Sequence, residues 1–327
     1  MNEVALAAGV SQTTVSLVLN EVSSGRFSPD TRRRVLEAAE RLGYRTTRRR
    51  SANRDTPQGT LAFLVDELST DPWMALAADG LREKAWERGL TVWVGATRGN
   101  HDVEQALFRQ LLAGPIAGLV YGTINTRKIE PPALPGPVPL VLFNCYVANH
   151  SLPSVLPAEV LGGQLATQRL IAGGHRRIGY INGEPWMDAS RDRLKGYRRA
   201  LTNADIEYDA GLVLNGNWEP STGYAHTRAL MGLPQPPTAI FCGNDLMALG
   251  CYDALREMGR RVPHDVAVVG YDDREIAQFV HPPLTTVVLP HYQMGLEAAE
   301  CLFDLIGGSK HAAQIKVEGT LVERQSV

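Results

Sequence analysis

Val4-Ala5-Leu6-Ala7-Ala8-Gly9-Val10-Ser11-Gln12-Thr13-Thr14-Val15-Ser16-Leu17-Val18-Leu19-Asn20 reads as two short helices joined by a tight turn. The small residues Ala5 and Ala8 let a second helix approach closely, and Gly9 stands where a helix C-terminus needs a residue that tolerates positive φ. Ser11 is placed to cap the second helix by accepting from the backbone N–H of Thr13 or Thr14. Val15, Val18 and Leu19 then share one face, and Gln12, Thr13 and Ser16 the opposite one. The pattern is a helix-turn-helix whose polar N-terminal edge suits a DNA major groove, with a plain helical hairpin as the competing reading.

The next segment favours the first reading. Ser28-Pro29-Asp30-Thr31 places proline at a first helical position, Gly43 lies beyond the far end, and Val35, Leu36, Ala39 and Leu42 keep helical spacing between them. A third helix over residues 29–42 closes a small core over the first two. Residues 1–58 carry a net charge of +4, and the rest of the chain −6, within an overall −2. Only the N-terminal part is suited to a polyanion, and Arg48-Arg49-Arg50 sits directly after the helices, within reach of phosphates. From Arg45 to Gln58 there is no Leu, Ile, Val or aromatic residue, so this stretch is a linker or hinge and builds no core of its own.

At 327 residues, with 44% hydrophobic and 21% charged residues, the chain is long enough for two or three globular domains. No apolar run reaches the roughly 18 residues of a membrane span, and the start is not basic-then-apolar, so no membrane association and a cytoplasmic location are expected. Cys145, Cys242, Cys251 and Cys301 have no zinc-like spacing and are expected to be buried reduced thiols.

Beyond the linker, strands alternate with helices. Strands are expected at 61–65, 91–95, 118–121, 140–143, 177–181, 239–241 and 266–270, with helices at 73–87, 102–113, 158–172, 190–203, 221–231 and 245–258. The run 284–289, a helix at 292–306 and strands at 315–317 and 321–322 complete the pattern. Repeated strand-helix units imply parallel sheets covered on both faces. There are too many strands for one sheet of usual size, so an α/β fold of two lobes with a cleft between them is expected. The common nucleotide-binding, zinc-protease and serine-nucleophile motifs are absent, and His175 reads as part of a helix-to-strand turn. No catalytic residue, metal or cofactor is therefore expected.

Gly9-Val10-Ser11, Thr14-Val15-Ser16, Leu19-Asn20 and Leu42-Gly43-Tyr44, followed by a hinge and two lobes, resemble the LacI/GalR (lactose repressor and galactose repressor) family of bacterial transcription regulators. Further matches are Gly174-His175-Arg176-Arg177-Ile178, Arg193-Leu194-Lys195-Gly196-Tyr197, Gly243-Asn244-Asp245, Gly270-Tyr271-Asp272-Asp273 and Pro282-Pro283-Leu284-Thr285-Thr286. The resemblance covers nearly the whole chain. It implies a helix-turn-helix DNA-binding domain at 1–45, a hinge at 46–58, and a two-lobed sensor at 59–327 of the periplasmic-binding-protein type. Lobe 1 would hold 59–157 and 286–314, and lobe 2 would hold 158–285 and 315–327.

By that resemblance the partners are double-stranded operator DNA, a small-molecule effector (a sugar) and a second copy of the chain, which make the protein a homodimeric repressor. Candidate DNA contacts are Ser11, Gln12, Thr13, Thr14, Ser16, Asn20, Tyr44 and Arg48. Candidate ligand contacts are Trp73, Asn144, Arg193, Trp218, Asn244 and Asp272. Guanidinium and carboxylate groups can each engage neighbouring hydroxyls, and an indole suits the C–H face of a pyranose. The chain departs from the family at Leu17, where many members have arginine, and at Asn53, where a leucine wedges into the minor groove. A solute-binding receptor of a transporter is the alternative that fits the lobes, and it leaves residues 1–58 without a role.

Overall fold

The computed structural model describes residues 7–10, 14, 15, 18, 29–41, 59–69, 72–309 and 314–327. The chain falls into two compact units, Met1–Asp55 and Thr56–Val327.

In the first unit, α1 (Pro29–Arg41) carries Asp30 in its first turn, in ion pairs with Arg33 and Arg34 on the next turn. Val35, Ala38 and Ala39 of α1 bury against Ala8, Val15 and Val18, with Val10 at the margin. Gly9 adopts φ +65°, the left-handed conformation that ends a helix cheaply only at glycine. These residues form the miniature core expected from the sequence, with two differences: Leu36 is exposed and Ala38 takes the inward position, while Leu42 lies outside the described residues. The proposed third helix is present, ending within a residue or two of its expected limit.

The second unit holds a six-stranded and a four-stranded parallel sheet, each flanked by helices. The first has the order β11-β5-β4-β3-β1-β2, with β1 (Gly59–Val65), β2 (Leu90–Ala96), β3 (Ile116–Lys128), β4 (Leu140–Tyr146), β5 (Ser154–Pro157) and β11 (Gln314–Val317). The side-chain period of two divides β1 between two layers. Leu61, Phe63 and Val65 pack in the cluster that contains α2 (Trp73–Glu87) and α8 (His291–Ile306), whereas Ala62 and Leu64 pack with Phe108 and Leu111 of α3 (His101–Leu112).

The second sheet has the order β7-β6-β8-β9, with β6 (Ile178–Asn182), β7 (Val213–Asn215), β8 (Ala239–Cys242) and β9 (Ala267–Val269). One of its faces buries Tyr180 and Phe241, stacked 4.6 Å apart, in the layer formed with α4 (Glu159–Ala172) and α5 (Asp188–Asn203). The other buries Ile181, Ile240 and Val268 with α6 (Pro220–Met231) and α7 (Asp245–Glu257). All four cysteines are buried and free, and burial pushes the Cys145 thiol up to about 12.

The chain passes between the lobes after Pro157, through β10 (Thr286–Val287), and through the segment leading to β12 (Leu321–Val322); β10 and β12 pair antiparallel. The third passage lies later than expected. Residues 315–317 belong to the first sheet, because Ile315 and Val317 pair with Val155 and Pro157 of β5, so lobe 2 resumes only after Val317. Strands β5 and β7 are additions to the expected pattern, and the run 284–289 yields only the two residues of β10.

Helices α4 and α5 cross with their backbones touching. A Cβ on Gly196 would lie 2.1 Å from the carbonyl oxygen of Val160, and one on Gly163 would lie 2.3 Å from that of Arg193. Glycine is required at both positions because nothing larger fits between the helices. Gly196→Ala is expected to lower stability by about 1–3 kcal/mol, as overpacked core sites do, which urea unfolding of the variant against the wild type would measure.

Candidate functional site

Between the two lobes lies a cavity of about 340 Å³, a size that accepts a small organic ligand. Each wall comes from a strand end or helix start, because parallel strands deliver their C-terminal ends to the same edge. Trp73, Asn144, Arg193, Trp218, Asn244 and Asp272 all line it, so the structure gathers the six residues singled out in the sequence.

Arg193 is the most constrained of them. Its side chain is 4% exposed, its Nε and Nη2 donate to the two carboxylate oxygens of Glu159 at 2.7 and 2.9 Å, and its Nη1 donates to the Gly243 carbonyl at 2.6 Å. Asp272 stands 3.7 Å away, and the guanidinium lies 3.6 Å from the ring centre of Tyr271. Burial works against its charge, but Glu159, Tyr271 and Asp272 together outweigh that effect and the pKa is raised. Its carboxylate partner is thus a buried residue of α4, in a bidentate geometry that lysine cannot reproduce.

Asn244 caps α7. Its Oδ1 accepts from the Met247 amide at 2.8 Å while its Nδ2 donates to the Trp218 carbonyl at 3.0 Å. Trp218, at φ +70°, donates from Nε1 to the Met187 sulfur, and its ring lies so close to Gly183 that a Cβ there would fall 1.9 Å from it. Asn144, at φ +56° and 2% exposed, donates from Nδ2 to the carbonyls of Thr123 and Ile124 and accepts from Thr126. Both of its amide hydrogens hold the end of β3 in place, so Asn144 shapes this wall from within.

Asp272, at φ +106°, donates its backbone N–H to Val287, which ties the exit of β9 to the β10 passage. Beside it Asp245 accepts from Thr286 Oγ1 and the Arg274 amide, each at 2.7 Å, and burial followed by the nearby Asp272 charge raises its pKa. Trp73 opens α2, 7% exposed, with its ring centre 5.9 Å from that of His291 and 5.2 Å from the Arg274 guanidinium carbon.

Glu159, Tyr271, Arg274 and His291 are the parts of this site that the sequence reading does not include. His291 is 2% exposed, and neither ring nitrogen has a hydrogen-bond partner in the protein. Burial, and secondarily Arg193, lowers its pKa to about 3. His175 lies away from the cavity, its Nδ1 2.9 Å from Thr238 Oγ1.

Of the candidate DNA contacts, Thr14 is helical and half-buried beside the fully buried Val15. Ser11, Gln12, Thr13, Ser16, Asn20, Tyr44 and Arg48 lie outside the described residues, as do the hinge positions up to Gln58. Among the described residues no group of three or more His, Cys, Asp or Glu side chains could hold a metal, and no helix is long and apolar enough to cross a membrane.

Residues 1–47 match the family described as bacterial regulatory proteins, lacI family, and residues 167–327 match the periplasmic binding protein-like domain. The chain is 30% identical, over its full length and 98% of the relative's, to the HTH-type transcriptional repressor PurR of Vibrio atlanticus (strain LGP32). Among solved structures, a LacI-family regulator from Rhizobium etli superimposes with a TM-score of 0.75 at 31% identity, covering 82% of this chain and 98% of that one. The transcriptional regulator CelR in its cellobiose complex matches 99% of this chain and 98% of its own at 34% identity, with a TM-score of 0.68. With its N-terminal and periplasmic-type segments both matched and its full length aligned to a repressor, this chain belongs to the LacI family, DNA-binding regulators of transcription that are not enzymes.

Proposed function

We propose that this regulator is a homodimeric repressor that reads a palindromic operator through residues 1–45 and is controlled by an uncharged sugar held between the lobes of residues 59–327. Residues 46–58 are the hinge. The operator sets the location, which is the cytoplasm. The observation that carries the reading of the effector is the make-up of the cavity. Both of its arginines already face carboxylates, Arg193 against Glu159 and Arg274 with its Nε 3.7 Å from Asp272, so no excess positive charge is left to attract an anion. Two indoles, Trp73 and Trp218, offer flat apolar faces of the kind that pyranose C–H bonds pack on. The CelR structure, a relative at 34% identity, is a complex with cellobiose.

Arg193, Asn244 and Asp272 serve the ligand in this proposal as edges of a pre-paired network, with Asn144 positioning the end of β3 from Thr123 to Thr126. Their own hydrogen bonds keep them in place before the ligand arrives, which reduces the ordering cost of binding. The dimer is supported by apolar surface. Strand β2 is an edge of the first sheet, with Trp93 36% and Val94 37% exposed, and Phe279 of lobe 2 is 62% exposed. A two-fold dimer sets the half-site spacing on DNA, and effector and operator affinities are then linked by a coupling energy of typically ~1–3 kcal/mol.

The upstream region of the protein's own gene should be retarded in a gel-shift assay by the full-length chain. The affinity should fall steeply with added salt, and unrelated DNA of equal length should bind far more weakly; equal binding to both overturns the repressor reading.

Arg193→Ala strands Glu159 in the interior and is expected to cost about 3–5 kcal/mol of stability, read as a lower urea midpoint.

The ordinary pKa of His291 is 6.5 and its folded value is about 3, so the unfolded chain takes up a proton below pH 6.5 while the folded chain stays neutral. Stability is complete above pH 6.5 and drains away as the pH falls toward 3, with a limiting slope of about 1.4 kcal/mol per pH unit. Between pH 7 and pH 5.5 the wild type should therefore lose about 1 kcal/mol more than His291→Phe in urea titrations.

A further inference from the structure

His291 is the polar group of the cavity whose presence the fold does not explain. It is the first residue of α8, a position a helix fills with almost any side chain, yet here it carries an imidazole 2% exposed with both nitrogens unpaired in the protein. Its neighbours are aromatic, the Trp73 ring centre at 5.9 Å and that of Phe143 at 5.7 Å. An apolar residue of similar shape would pack there without the desolvation cost of two polar atoms. The residue lines the same cavity as Arg193, Asn244 and Asp272, from the opposite lobe. Lobe 2 thus brings paired charges to the cleft, and lobe 1 brings this uncharged imidazole.

We propose that His291 is a specificity-determining residue of the effector site, reading one hydroxyl group of an uncharged sugar whose ring packs against Trp73. A neutral imidazole carries one donor and one acceptor nitrogen. A hydroxyl, which both gives and takes a hydrogen bond, matches whichever nitrogen it meets. A carboxylate or phosphate matches only the donor, and the cavity has no unpaired cation to offset the rest of its charge. Sugar acids and sugar phosphates are accordingly refused. This inference rests on the sugar reading above, and the two fail differently in the test.

The test is calorimetric titration of the full-length protein with D-glucose, D-galactose, D-ribose, cellobiose, D-glucuronate and D-glucose 6-phosphate, on the wild type, His291→Phe and His291→Gln. The wild type is expected to bind at least one of the four neutral sugars, and neither charged one more tightly than D-glucose. For the best neutral sugar, His291→Phe should weaken binding about tenfold, the worth of one hydrogen bond, while His291→Gln, which keeps a donor and an acceptor, should recover most of it. Without ligand, His291→Phe should melt no lower than the wild type, because it removes unpaired polar atoms; a histidine retained for packing alone would give a lower melting temperature. Equal affinity of His291→Phe and wild type for that sugar overturns the role of His291 and leaves the sugar reading intact. Tighter binding of a charged probe than of D-glucose overturns the selectivity, and failure of the wild type to bind any of the neutral sugars overturns both readings.

Discussion

The guanidinium of Arg193 and the carboxylate of Glu159 meet almost wholly buried, each side chain 4% exposed, and the lobe 2 wall of the cavity is built around that contact. Taking two charges from solvent costs several kcal/mol apiece, and only a bidentate geometry with further partners offsets it. Those partners are present. The Gly243 carbonyl accepts a third hydrogen bond, and the guanidinium carbon stands 3.6 Å over the Tyr271 ring centre. The pair therefore ties α4 to α5, the end of β8 and the exit of β9, which together make the lobe 2 side of the cavity.

That contact is possible because α4 and α5 touch along Gly163 and Gly196. With side chains at those positions the helices would stand apart, and Glu159 and Arg193, 34 residues apart in the chain, would lose the hydrogen-bonding distance between them. The sequence Arg193-Leu194-Lys195-Gly196-Tyr197 is thus one physical unit. Gly196 brings the helices together, Arg193 reaches the carboxylate, and Tyr197 donates to the Ile178 carbonyl at the start of β6.

Much of this architecture was legible from residue order. Long apolar runs such as Leu61–Val65 announce buried parallel strands, and the helical periodicities that follow them give α2 to α8 within two residues of their observed limits. Short strands escape the pattern. Ser154–Pro157 and Val213–Asn215 are too brief to show a period, and each is fixed by pairing with other strands, β5 with β4 and β11 and β7 with β6. The misplaced third passage has the same origin, since Ile315 and Val317 choose their sheet by pairing with β5. In the cleft, residues at strand ends carried a signal, because chemistry in such folds collects there. Glu159, Tyr271 and His291 did not, because their importance lies in what surrounds them: a buried cation, a ring beneath it and a pair of aromatic neighbours. Asn144 lines the cavity, and its amide group is committed to the backbone carbonyls of Thr123 and Ile124, a pairing that residue order does not announce.

The three passages between the lobes are not independent. β10 and β12 are joined by antiparallel pairing of Thr286 with Val322 and Val287 with Leu321, and β10 is followed at once by the Asp272–Val288 bridge. This two-residue ribbon makes the second and third passages a single element, fastened to the exit of β9 through the bridge. Neither β10 nor β12 can shift without its partner, so two of the three threads joining the lobes behave as one.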